Sequence, residues 1–465
     1  MPSPPDAVDR MGTDRPFPLL LKFSLPAIAG MLVTSLYNIV DRMFLGHGPG
    51  IGAAGIAGVT VSFPLMMAMG AFSQLVGVGA NTLFSIRMGE GRRDQAEKIL
   101  GNAVSLLVGI PLLACVAFLF CLEPVLALCG ASPDLMPFAR PYALIVIAAA
   151  PLVTTGHGLS HFIRSDGHPV ISMFAMIIGA VLNTILDWLF IFVFEWGIEG
   201  AAWATAIGQL SSFLWCFLYF LRPAATTRLR RACLAPDLRR IILPFLALGF
   251  TPFAMAIANS LLNVVLNRSL SRYGGDASLA VMGVITSYMS IIFMPTFGIS
   301  QGAQPLMGYN YGARLLPRVR DIYTLAMRVT TAFMILGWLV SQLFPRQIFL
   351  LFLDAGDPLL DIGPHALRVF SAAFPLIGLS CMAAPLFQAI GKPIQAGFIS
   401  LARQLLLFVP FMLILPPLCS IAPLSRFLAP IDGVYLAAPA SDLLTCVIAL
   451  LMVRPQLRQF SPPSP

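Results

Sequence analysis

Twelve apolar runs, each long enough to cross ~30 Å of hydrocarbon as a helix of about 20 residues, recur between residue 17 and residue 453. They lie at 17–45, 54–86, 98–122, 137–162, 169–194, 200–221, 240–267, 278–309, 321–344, 362–387, 395–418 and 433–453, and are numbered spans 1 to 12. A water-exposed surface could not balance so much apolar chain. Only 11% of residues are charged and 58% are hydrophobic, against roughly 25% charged in soluble domains. The expectation is an all-α membrane protein. Pro26, Pro64, Pro151, Pro244, Pro295, Pro375 and Pro410 fall inside the runs; no loop can replace a helix in lipid, so they are read as kinks.

Charge in the connections orients the bundle. With both termini cytoplasmic, nineteen Lys and Arg, Arg164 and the linker arginines among them, fall on the cytoplasmic side; only Arg268, Arg272, Arg346 and Arg426 fall outside. That asymmetry follows the positive-inside rule. The net charge of +8 therefore records topology and contact with anionic lipid, and requires no nucleic acid. The N-terminal stretch lacks a small-residue cleavage site, so span 1 is expected to act as an uncleaved anchor. Eight scattered cysteines with no CxxC pair point to neither a disulfide framework nor a thiolate metal site.

The chain repeats itself. "GANTLFSIRMG" at 79–89 answers "GAQPLMGYNYG" at 302–312, "DGHP" at 166–169 answers "IGKP" at 390–393, and "GIEGAAWATA" at 197–206 answers "PIDGVYLAAP" at 430–439, displaced by 223, 224 and 233 residues. Residues 1–222 and 240–465 read as two copies of a six-span unit, joined by an Arg-rich cytoplasmic linker at 223–239. An even span number gives both copies the same topology, related by an axis along the membrane normal. The expected architecture is two pseudo-symmetric six-helix lobes around a central cleft, a form suited to rocking between inward and outward access.

Charged residues inside the spans carry the functional reading. Asp41 sits in "YNIVDRMFLG" at the end of span 1; at membrane depth it must face protein or trapped water and be neutralised by a proton or a cation. Tyr37 and Asn38 share its helical face, while Arg42 points about 100 degrees away. Asn183 and Asp187 of "GAVLNTILDWLF" are four apart on one face of span 5. With Thr205 of span 6 opposite, they can make an all-oxygen pocket for a small hard cation or a shared proton. Span 7 offers Asn259, Asn263 and Asn267 but no acid, so the ion site is expected in the N-lobe alone. Arg403 in span 11 and Asp442 in span 12 both need a partner, and are read as a structural ion pair or a cleft contact.

These segments, together with "GVGANTLFSIRMGEG", "IRSDGHP", "GIEGAAWATAIGQ" and "SLARQLLLF", resemble the multidrug and toxic compound extrusion (MATE) family over the whole chain, closest to bacterial branches with membrane carboxylates in the N-terminal half. The resemblance implies a twelve-helix, two-lobe antiporter in the bacterial plasma membrane that exports small organic, often cationic or amphipathic compounds against protons or sodium ions. It places the family's ion-site acid on Asp41, its fifth-span pair on Asn183 and Asp187, its sixth-span threonine on Thr205 and its helix-bending proline on Pro26. Where relatives carry asparagines near the end of span 4, this chain reads "GHGLSHFIRSDG", so proton and sodium coupling both stay open. No cofactor is expected, and a monomer in the bilayer is. A flippase for a lipid-linked precursor is the alternative within the fold. An intramembrane metallo-hydrolase built on His157 and His161 is more distant, because Gly158 stands where a water-activating glutamate would be. The glycines of "GPGIGAAG" at 48–55 follow a membrane helix, not a strand, and carry no nucleotide reading.

Overall fold

The computed structural model describes residues 8–49, 52–129, 131–133, 135–222, 225–233, 235–353, 356–421 and 429–460, with the side chains of 38, 42, 46, 52–57, 231, 260 and 276 left out. The side chains of Asn38, Arg42, Gly52, Gly55 and Arg231, and Gly50 and Arg426 entirely, thus lie outside the described residues. Every regular element among those described is helical. Twelve helices are long and apolar enough to cross a membrane: Pro16–Leu45, Gly58–Gly89, Arg93–Phe120, Met136–Ser165, Pro169–Val193, Gly197–Leu221, Leu238–Gly275, Ala277–Gly312, Leu316–Leu343, Leu359–Ala389, Pro393–Cys419 and Pro430–Gln459. They keep the numbering of spans 1 to 12.

The prolines divide into two groups. Helices run unbroken through Pro26, Pro64 and Pro151. Pro244, Pro375 and Pro410 instead open new helical segments, two of them directly after π-helical turns at Leu238–Ile242 and Ala402–Phe408. Spans 7 and 8 form one helical run broken only at Gly275, whose φ of 64° suits a residue without Cβ. The sequence repeat reappears in the backbone: Gly91 and Arg314, 223 residues apart, both take positive φ (74° and 58°), as do Gly167 and Gly391, 224 apart (90° and 75°).

The described residues divide into two compact units, one of Met1–Phe253 with Gly308–Leu315, the other of Ala254–Met307 with Leu316–Pro465. In the first, span 4 packs against spans 2, 3 and 6, and span 5 against spans 1 and 6. Two crossings are tight because a side chain is missing. A Cβ on Gly208 of span 6 would lie 2.7 Å from the Gly179 carbonyl oxygen and 2.9 Å from Asn183 Cβ. A Cβ on Gly156 of span 4 would lie 2.8 Å from Phe213 Cα. Beside the first crossing, Ser212 Oγ donates to the Ala175 carbonyl at 2.7 Å and Trp215 Nε1 to that of Ile171 at 3.1 Å, fixing the register of spans 5 and 6.

The linker is held to this unit by three buried polar side chains. Asp166, fully buried between spans 4 and 5, accepts from Tyr219 Oη at 2.6 Å, Thr227 Oγ1 at 3.0 Å and the Thr226 N–H at 3.1 Å. Glu97 accepts from the Arg228 N–H and from Arg230 Nε, both at 3.1 Å. Asn102 donates to the carbonyls of Cys233 and Ala235 at 3.2 and 3.1 Å and accepts the Asp237 N–H at 2.7 Å. In the second unit the core gathers Leu270, Ile285, Met334, Phe349, Leu367, Met412 and Val434, drawn from spans 7 to 12 and the segment before span 10.

Candidate functional site

The first unit brings four spans together around polar side chains. Asn183 and Asp187 stack on the inner face of span 5, 3% and 0% exposed. Directly after Asp187 the helix loosens into a π turn over Trp188–Val193. The Gly208 crossing sets span 6 close enough for Asn183 Nδ2 to reach Thr205 Oγ1, at 3.4 Å. One turn further along span 6, Gln209 Nε2 lies 3.4 Å from Tyr37 Oη of span 1. Tyr37 and Asp41, one turn apart on span 1, are both partly buried.

The carboxyl groups of Asp41 and Asp187 are close enough to interact electrostatically. Two carboxylates in a medium of low dielectric cannot both stay ionised without compensation. Both oxygens of Asp187, and Oδ1 of Asn183, are buried without a hydrogen-bond partner among the described residues. The donor set is therefore all oxygen: carboxyl, amide carbonyl, hydroxyl and phenol, the chemistry that takes a proton or a hard cation.

Span 4 adds two residues that the sequence reading missed. The buried Tyr142 hydroxyl bonds the Thr205 side chain and feels Asp41, Asp187 and Tyr37. His157 bonds Gln209. Gln209 itself could have been found, since it lies four residues after Thr205. Nothing in the spacing of span 4 marks Tyr142. Arg164, counted above with the connections, stands in the last turn of span 4, 5% exposed, and donates from Nη2 to His161 Nδ1 at 2.8 Å. That nitrogen of His161 thus serves as an acceptor. Pro26 is buried in the unbroken helix of span 1. Arg403 and Asp442 meet in the second unit, Nε to Oδ1 at 2.7 Å.

Twelve membrane-length helices with a convergent polar site buried in one unit define a multi-pass secondary transporter rather than an enzyme. The chain belongs to the MatE family, whose model matches residues 26–189 and again 252–414, once in each half. It is a bacterial multidrug efflux transporter of the MATE type, acting on small organic compounds, and such transporters need no cofactor. It is 26% identical over 376 residues to the multidrug export protein MepA of Staphylococcus saprophyticus, covering 80% of this chain and 81% of that protein. MepA of Staphylococcus aureus strain N315 is also 26% identical, over 380 residues, covering 81% of this chain and 82% of that protein. The structure of the MATE multidrug transporter DinF-BH in complex with rhodamine 6G superposes with a TM-score of 0.85 at 32% identity, covering 98% of this chain and 99% of that one.

Proposed function

We propose that the chain is a cation-coupled antiporter. A proton or a sodium ion enters the site formed by Asp41, Tyr37, Asn183, Asp187 and Thr205 as an organic, cationic or amphipathic compound leaves by alternating access. The observation that carries this reading is the set of three buried, unpartnered oxygens on Asp187 and Asn183 beside the Asp41 carboxyl. A buried carboxylate is tolerated when it is protonated or paired with a cation, and a ligand that binds one conformation better shifts the equilibrium toward it. Pro26 supplies a point of weakness in span 1, because its ring removes the N–H that would bond the carbonyl four residues back. The MepA exporters and the dye complex of DinF-BH support lipophilic dyes and drugs as the substrate class. The repeat supports two lobes, 1–222 and 240–465, and the Lys and Arg asymmetry supports cytoplasmic termini in the bacterial plasma membrane, with the single chain as the working unit.

Reconstituted protein, given a proton gradient and a sodium gradient one at a time, separates the two coupling ions. Asp41→Asn and Asp187→Asn are each expected to insert normally and to lose gradient-driven efflux. Efflux at the wild-type rate from both variants, at equal insertion, would defeat the assignment.

A further inference from the structure

The second unit carries an intramembrane cation that the coupling reaction leaves unused. Arg403 lies ten residues into span 11, about 15 Å along the helix at 1.5 Å per residue, and its side chain is 36% exposed although the span is apolar. Asp442, buried in span 12, takes only its Nε. Among the described residues no hydrogen bond holds the two Nη groups, so one edge of the guanidinium is committed to Asp442 while the other presents parallel N–H donors. A guanidinium offers that second edge to a carboxylate in bidentate fashion. At this depth the edge lies well away from lipid headgroups.

The backbone around Arg403 is built to hold it. Arg403 and Gln404 lie in the π turn Ala402–Phe408, the kind of helix irregularity that concentrates at functional sites. Ser441 Oγ donates to the Arg403 carbonyl at 2.7 Å, fixing span 12 against the turn. Gln404 Nε2 donates to Asn259 Oδ1 at 2.8 Å, tying span 11 to span 7. Gln404 Oε1 is buried without a partner among the described residues. Asn259 and Asn263, one turn apart, are exposed on span 7. Polar side chains gathered at mid-span on two adjacent helices do not suit a lipid-facing surface, where each would be costly. They suit a surface that meets a polar group of a solute.

We infer that Arg403, assisted by Gln404 and Asn259, forms a second recognition site, in the C-terminal unit, for a carboxylate borne by the exported solute. The inference rests on the export reading and extends its substrate class from cationic compounds to acids and zwitterions. Asp442 then has a definite part: it orients the guanidinium and leaves the outer edge open.

The test uses one dye in two forms, rhodamine 6G, an ester, and its free acid, which adds a single carboxylate to the same ring system. Wild-type protein in everted membrane vesicles is expected to export both. Arg403→Gln combined with Asp442→Asn, which avoids stranding a buried carboxylate, is expected to lower the ratio of acid to ester transport at least tenfold. Arg403→Lys, which keeps the charge on Asp442 but loses the planar fork, is expected to lower the same ratio several-fold. If wild type moves neither dye, the export reading falls and this inference with it. Should wild type move the ester alone, or should both variants keep the wild-type ratio, only the inference is overturned.

Discussion

Asp166 offers a measurable consequence of anchoring the linker with a buried charge. Burial pushes its carboxyl up to about 6 from an ordinary 3.8, against the opposing pull of the hydrogen bonds from Tyr219, Thr226 and Thr227. Between those two values the folded chain holds a proton that the unfolded chain has released, so stability falls as pH rises. The contribution of the protonated form is complete below about pH 4 and gone above about pH 6. Two pH units correspond to about 3 kcal/mol at 1.36 kcal/mol per unit. Asp166→Asn is permanently neutral: its amide oxygen can accept from Tyr219 and Thr226, and its NH2 can donate to Thr227. The variant is expected to unfold a few degrees higher than wild type at pH 7.5, with the difference vanishing near pH 4. Thermal unfolding of detergent-purified protein, followed by tryptophan fluorescence at pH 4.5, 6 and 7.5, reads both quantities. A variant less stable than wild type at pH 7.5, with the same pH slope, would refute the reasoning.

Gly208→Val drives a branched side chain into Gly179 and Asn183 across the crossing of spans 5 and 6. It is expected to abolish efflux while membrane insertion persists, and normal transport would show that the contact between Asn183 and Thr205 is dispensable. Asn102→Leu strips hydrogen bonds from the Cys233 and Ala235 carbonyls and the Asp237 N–H. At about 1 kcal/mol for each bond lost, opening of the linker should become about a hundredfold easier, read as faster tryptic cleavage at its arginines; an unchanged rate counts against the clamp.

The spans were legible because lipid imposes its demand on composition directly: a run of 20 apolar residues needs no partner to announce itself. Asn183, Asp187 and Thr205 were legible as a set because four-residue spacing puts the first two on one face, while charge inside a membrane restricts what can lie opposite. Tyr142 was not legible, since its place beside Thr205 depends on how spans 4 and 6 cross. The linker misled in a more instructive way. Its arginines report charge, and charge reads as a solvated joiner. Its anchors lie 61, 131 and 135 positions away at Asp166, Glu97 and Asn102, and no local pattern connects a residue to a partner so distant.

The two π turns show why intramembrane charge and helix irregularity fall together. One follows Asp187 and the other contains Arg403. In hydrocarbon a broken helix leaves backbone groups that water cannot satisfy. A π turn avoids this by lengthening the bond pattern, so the N–H groups stay bonded while one extra residue enters the turn and the side chains beyond it swing to a new face. A polar residue beside such a turn can be aimed into the protein without a loop and without orphaning the backbone. Strict periodicity of 3.6 residues fails at these points, which is why facing relations read from spacing held for Asn183 and Asp187, before the first turn, and gave no account of Gln404 and its bond to Asn259, inside the second.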